Sequence, residues 1–335
     1  MTRTIGLIGV GGMADVHLPA WLDLGFEVSL YSRSTDAAPL IERHGGGRIA
    51  PSLEELFATA DIVDICTPTH THHTLALKAL GHRIPTICEK PLARALGEAE
   101  DLVHRFEADG VPLFAAHVVR YFAEYAALHR SVTNGDIGDV EAQRYARQGR
   151  SPQSDWYGDP SLSGGVLLDL MIHDLDIARW VGGEVATVYG RTRTAGDSQT
   201  TQALLTHASG TVSQVSATWT TAPIEFRTAF DVVGSRAMIS VDSAARRPAV
   251  STQGQDAESV SLPDFDAMTS PYRAELADFV RSIDTGVAPR VTARDAVEAM
   301  RIADAVARSA ASGAAVTIAR DSLRNAETPT QRERA

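Results

Sequence analysis

TIGLIGVGGMADVH, residues 4–17, runs from a β-favouring stretch through a glycine turn straight into a helical one. Gly9-Val10-Gly11-Gly12-Met13-Ala14 fits the pattern G-x-G-x-x-A. In such a loop Gly9 permits the tight turn, Gly11 lets the backbone approach a pyrophosphate, and Ala14 lets the helix pack close. Free N–H groups at the helix start then face the anion. The string is weak by itself and much stronger at the end of the first strand of a βαβ unit. The competing reading is a plain glycine turn.

Working outward, the first 118 residues keep the alternation that such a unit needs. β-rich runs at 4–10, 27–33, 61–67, 84–90 and 111–118 are separated by ADVHLPAWLDLG, SLEELFATA, HHTLALKALG and GEAEDLVHRFEADG. Each separator has helical apolar spacing, and three end at Gly. This predicts a parallel sheet covered by helices on both faces. After residue 119 the texture changes. DVEAQRYARQ, EVATVYGRT, TTQALLTHASGTVSQVSATWT and EFRTAFDVVGSRAMISVD read as long strands joined by turns, an antiparallel arrangement. Two helical runs follow, PYRAELADFVRSIDTG and TARDAVEAMRIADAVARSAASG. The expected division is a dinucleotide-binding domain over 1–118, a substrate-binding and oligomerisation domain over 119–320, and a disordered polar tail over 321–335.

The bulk numbers exclude whole classes. A net charge of −11, from 31 basic and 42 acidic residues, disfavours nucleic-acid and membrane-surface partners. The N-terminus does not read as a signal peptide, and no apolar run is long enough to span a bilayer. Two cysteines, Cys66 and Cys88, sit in apolar runs. A reduced, cytoplasmic protein is expected.

An NAD site usually carries Asp or Glu at the end of the second strand, to bind the ribose 2′-OH. Here that place reads Tyr31-Ser32-Arg33-Ser34. A carboxylate would repel a 2′-phosphate, whereas Ser32 and Arg33 suit one. NADP is therefore favoured, with the alternative that Arg33 is solvated and Asp36 takes the ribose of NAD. Two more strings end predicted parallel strands, where open α/β sheets bind ligands. One is Cys66-Thr67-Pro68-Thr69-His70-Thr71-His72-His73 and the other Cys88-Glu89-Lys90-Pro91-Leu92. The histidines lack the i, i+4 spacing and partner ligands of a zinc helix, so no metal is expected. SGGVLLDLMIHDLDIARW, residues 163–180, reads as a buried helix that nevertheless carries Asp169, His173, Asp174 and Asp176. Ideal helical spacing puts Asp169, His173 and Asp176 on one face and turns Asp174 elsewhere. Asp169 and His173 either pair to hold a loop or serve chemistry; Lys90 either serves it or merely ends a strand.

These strings together resemble the Gfo/Idh/MocA family of sugar and polyol oxidoreductases, in its inositol-dehydrogenase-like and glucose-fructose-oxidoreductase-like forms. The likeness runs from residue 4 to about 318 and rests on GLIGVGGMADVH, CTPTHTHHTLALKAL, ICEKPLA, HVVRYFAEY and SGGVLLDLMIHDLDIARW. It implies a six-stranded Rossmann-type domain and an α/β domain with a large, open, mostly antiparallel sheet that joins dimers or tetramers. It places the family's catalytic lysine, aspartate and histidine on Lys90, Asp169 and His173. The expected cofactor contacts are Gly9, Gly11, Gly12, Met13, Ser32, Arg33, Thr67, Pro68, His72, Glu89 and Lys90. His117, Arg120 and Tyr121 follow the fifth predicted strand, and Trp156 and Tyr157 precede the acidic helix. They are the expected substrate contacts, with hinge or core roles as the alternative. One departure stands out: Thr69 occupies a place where Asn is usual. The implied reaction is hydride transfer between a nicotinamide, NADP or NAD, and a sugar or cyclic polyol. The rivals are a non-catalytic dinucleotide-binding regulator and a glycosidase that oxidises its substrate transiently.

Overall fold

The computed structural model describes residues 2–33, 35–152, 155–244, 249–252 and 270–319. Ser34 and the expected tail lie outside the described residues. The first half alternates as β1 (Thr4–Ile8), α1 (Ala14–Asp23), β2 (Glu27–Tyr31), α2 (Ala38–His44), β3 (Arg48–Ile49), α3 (Leu53–Thr59), β4 (Ile62–Ile65), α4 (His72–Gly81), β5 (Thr86–Glu89), α5 (Leu96–Asp109) and β6 (Leu113–Ala116). The six strands pair in the order β3-β2-β1-β4-β5-β6, all parallel. β4, β5 and β6 are buried along their whole length, as strands covered on both faces must be. Strand order reverses between β1 and β4, which opens a crevice at their carboxyl ends. Residue patterning shows five of these strands. The sixth, β3, is two exposed residues, too short for a period to register.

The second half contains α6 (Ala123–Thr133), β7 (Val140–Arg150), α7 (Asp155–Gly158), α8 (Pro160–Ser163), α9 (Ile172–Gly182), β8 (Val185–Ala195), β9 (Ser198–His207), β10 (Val212–Thr220), β11 (Arg227–Gly234), β12 (Ala237–Asp242) and β13 (Ala249–Thr252). It closes with α10 (Pro271–Thr285), α11 (Ala293–Ser312) and β14 (Val316–Thr317). The strands form one sheet in the order β13-β12-β11-β7-β10-β9-β8-β14. Every pairing is antiparallel except β7 with β10, which run parallel. The sheet is thus mostly antiparallel, as expected, with one parallel joint. Hairpin turns announce β9–β10 and β11–β12, but nothing local announces that β7 lies between their ends.

One face of this sheet carries α6, α9 and α11, whose Leu128, Leu175, Ile177, Ile302 and Val306 share a core with Tyr145, Leu205, Val215 and Phe230. The other face is open, and Tyr189, Leu204 and Val212 stand exposed there. α10 and α11 reach back to the first sheet. Leu276 and Phe279 of α10 join the core around α1, with Phe279 stacked on Phe114. Val297 and Met300 of α11 join the core beneath α5. α11 starts on a capping box in which Thr292 and Asp295 each satisfy the other's backbone N–H.

Candidate active site

The loop after β1 takes the shape its glycines predict. Gly9 has φ +104°, and a Cβ there would lie 2.4 Å from the Cys66 carbonyl oxygen, so only glycine fits. Gly11 and Gly12 are different: a Cβ on either would meet nothing within 4 Å. The space beside them is open and adjoins the N-terminus of α1, whose partial positive charge favours an anion. That is a fitting cradle for a pyrophosphate. At the end of β2, Arg33 is exposed, and Ser32 Oγ accepts the Thr35 N–H at 3.2 Å. Asp36 Oδ1 accepts the N–H of Ala38, the first residue of α2, at 3.0 Å.

Lys90, one residue past β5, crosses to the second half of the chain. Its Nζ donates to Asp169 Oδ1 at 2.9 Å and to the Asp169 carbonyl oxygen at 2.6 Å. Asp169 lies in a single π-helical turn, Leu167–Met171, ahead of α9. Such turns loosen the backbone ladder and recur at functional sites. The turn is set by Gly164 and Gly165, at φ +80° and +64°, and by Gln199 Oε1, which accepts the Val166 N–H at 2.6 Å. His173 follows in the first turn of α9. Its Nδ1 is buried with no hydrogen-bond partner. Burial, then the charges of Lys90 and Arg147 and the neighbouring His117, hold its pKa well below the ordinary imidazole value. The His117 ring lies 6.4 Å away, edge to face.

The structure thus brings Lys90, Asp169 and His173 together. It distributes the other acids of the helix differently from ideal spacing. Asp174 pairs with Arg147 of β7 through Oδ1 at 2.8 Å, deep in the core. Asp176 takes both prongs of Arg120, at 2.8 and 2.5 Å, instead of sharing a face with Asp169. A π-turn spends more residues per turn than the 3.6 of an α-helix, so the rotation from residue 169 to those that follow falls short of the ideal count.

Several expected contacts acquire other partners. Arg120 is 1% exposed; besides Asp176 it donates to the Arg290 carbonyl oxygen at 3.1 Å and lies over Trp180. Its fork joins the segment after β6 to α9 and the start of α11, so the expectation that it contacts substrate is corrected. Tyr121 is likewise buried, its hydroxyl donating to Asp278 of α10 at 2.7 Å. His72 bridges the Thr67 and Pro91 carbonyl oxygens at 2.8 Å each, and burial lowers its pKa. It ties the Thr67-Pro68 loop to the Lys90 loop, and its ring does not reach the open space. Glu89 turns its carboxylate inward, toward His17 and the Lys90 N–H. His73 pairs with Asp101 on α5 and His70 is exposed. Thr67 remains at the crevice edge, its hydroxyl bonded to that of Thr71 at 2.7 Å. His117 is buried beside His173, its ring nitrogens without hydrogen-bond partners and Nδ1 3.9 Å from Asp176 Oδ2.

Trp156 and Tyr157 stack on each other at 3.8 Å, and Tyr157 meets Trp219 of β10 edge-on at 6.1 Å. Burial, then the charges of Asp169 and Glu89, push the Tyr157 phenol up, which places this aromatic wall beside Asp169. Trp219 escaped sequence reading, as did Arg147. Alternation marks both only as inward-facing positions on strands.

Comparison with known proteins agrees with this geometry. The family model described as "Oxidoreductase family, NAD-binding Rossmann fold" matches residues 3–117, and that of the GFO/IDH/MocA C-terminal domain matches 125–240. D-apiose dehydrogenase of Rhizobium rhizogenes is 32% identical over 235 residues, covering 66% of this chain and 67% of that protein. Myo-inositol 2-dehydrogenase of Thermotoga maritima is 27% identical and covers 91% of this chain and 95% of its own. Among solved structures, levoglucosan dehydrogenase in complex with NADH and L-sorbose superposes with a TM-score of 0.86 at 22% identity, covering 96% of this chain and 100% of that one. Family models match both halves of the chain: it belongs to the Gfo/Idh/MocA family of oxidoreductases.

Proposed function

We propose that the protein oxidises a secondary alcohol of a sugar or cyclic polyol, or reduces the corresponding ketone, with a nicotinamide cofactor, NADP in preference to NAD. The observation that carries this reading is Lys90 Nζ held 2.9 Å from Asp169 Oδ1, with His173 one turn beyond. The cradle beside Gly11 and Gly12 holds the pyrophosphate, and Thr67 and Pro68 border the same crevice. When bound, the nicotinamide supplies the hydride chemistry. The chain's own residues handle the proton and the oxygen. His173, neutral and with Nδ1 unpartnered, takes the hydroxyl proton as the alcohol is oxidised and returns it in reduction. The Lys90 ammonium donates to the reacting oxygen and stabilises negative charge there. Asp169 holds Lys90 and offers a second acceptor to a neighbouring hydroxyl. The Trp156, Tyr157 and Trp219 wall suits the apolar face of a sugar ring.

The phosphate preference is supported by Arg33, exposed at the end of β2. The open face of the second sheet is the surface we assign to a homodimer or homotetramer. Lys90→Ala and His173→Ala are each expected to lower kcat by orders of magnitude while NADPH binding, read by fluorescence, persists. In the same assay Arg33→Ala weakens NADPH about 10–100-fold, the worth of a charge-assisted hydrogen bond, and leaves NADH nearly unchanged. Near-normal turnover in either alanine variant of the site would overturn the reading.

A further inference from the structure

We propose that His17 and Glu89 are positioning residues for Lys90, an inference that rests on the role given to Lys90 above. His17 lies one turn into α1 and is wholly buried. Its Nδ1 is 2.9 Å from Asp64 Oδ2, on β4. Its Nε2 is 3.3 Å from Glu89 Oε1, an ion-pair contact outside hydrogen-bond alignment. Trp21 Nε1 donates to the same Asp64 oxygen at 2.7 Å. The second oxygen of Glu89 accepts the Lys90 N–H at 3.0 Å. An unbroken path therefore runs from the helix that opens on the glycine loop, through two strand ends, to the backbone of the lysine that crosses to Asp169.

The path has the charge balance of a clamp. Burial opposes a proton on His17, but the Cys66 sulfur and the Asp64 carboxylate outweigh it and hold the imidazole well above its ordinary pKa. Burial pushes the Cys66 thiol up in turn. The His17 ring sits between the carboxylates of Asp64 and Glu89, on different strands. Glu275 of α10 belongs to the same buried region, where burial, then Glu89, push its carboxyl well up. The donor atoms of His17, Asp64 and Cys66 lie within 4.8 Å of one another, a spacing a metal ion would also use. Asp64 Oδ2 already accepts from both Trp21 and His17, which favours the hydrogen-bonded reading. Neither His17 nor Glu89 reaches the open side of the crevice. Their effect on the reaction must pass through where Lys90 leaves its strand.

Glu89→Gln keeps an acceptor for the Lys90 N–H and removes the charge that His17 faces. It is expected to lower kcat about 10–100-fold, the scale of a misplaced catalytic group, with both KM values within about threefold of wild type. The rate at which acetic anhydride labels the Lys90 amine, read by mass spectrometry without substrate, should change at least about twofold on the same argument. His17→Gln should show both changes. Wild-type labelling and kcat in Glu89→Gln would overturn the proposal. So would loss of fold in both variants, which would make the network a matter of stability alone. A wild-type protein that turns over no sugar or polyol would sink the functional reading instead, and the labelling result would still decide the positioning of Lys90.

Discussion

His173 enters its site uncharged because burial, then Lys90, Arg147 and His117, all disfavour the imidazolium. The unfolded chain binds that proton near pH 6.5 and the native state does not, so stability must fall as pH drops below about 6.5. For one site the slope is at most about 1.4 kcal/mol per pH unit. His17 runs the other way: its raised pKa adds stability that is complete below about pH 6.5 and lost as pH climbs through the raised value. His173→Asn should therefore flatten the acid limb of urea-unfolding free energy between pH 6.5 and 5 and leave the alkaline limb alone. An unchanged acid limb would mean that His173 is not held neutral. At this scale Lys90 was legible as a candidate, a lysine fixed by proline at the end of an apolar strand, and the family resemblance rather than its position singled it out. Arg120 and His72 were not. A polar residue next to a strand end looks the same in sequence whether it faces a ligand or a buried carboxylate such as Asp176.

At the scale of elements, α9 is held by two buried ion pairs that face opposite ways, Arg147 with Asp174 and Arg120 with Asp176. Removing one partner of such a pair leaves a charge uncompensated in the core, which costs about 3–5 kcal/mol. Asp176→Asn preserves shape and one acceptor, so about 3 kcal/mol of lost stability in urea is expected, with the Arg120 guanidinium still only 3.5 Å from Asp295. A loss below about 1 kcal/mol would show that Asp295 and the Arg290 carbonyl suffice for Arg120. The helices and strands with a clear period were readable, α5 and α11 most of all, since both are amphipathic and end at a left-handed glycine. α2 and α6 were passed over: the first is seven residues long, and the second begins where the strand-rich texture was taken to start. The π-turn could not be read at all. It depends on Gln199, from a strand that follows it in the chain, bonding the Val166 N–H.

For the whole molecule the second sheet poses the remaining physical question, because among the described residues the helices cover one of its faces. Strand alternation is regular there, with Ala203 and Leu205 inward and Leu204 outward on β9. Tyr189 lies opposite Leu204 in register, and Val212 projects from the neighbouring strand, at 39%, 48% and 40% exposure. Contiguous exposed apolar residues on a broad sheet are the mark of an interaction surface. A flat face meeting its own copy across a twofold axis closes on itself and stops. The expected mass in solution, by light scattering, is that of a dimer or tetramer. Leu204→Lys should lower it toward the 35.8 kDa of one chain, because like charges would meet at the symmetric contact. Lys90, Asp169 and His173 lie on the helix-covered side of this sheet, so the same variant should keep its kcat at concentrations where it is monomeric. A wild type that already runs as a monomer, or a variant whose mass does not change, would move the contact to another face and leave the exposed row of Tyr189, Leu204 and Val212 without that role.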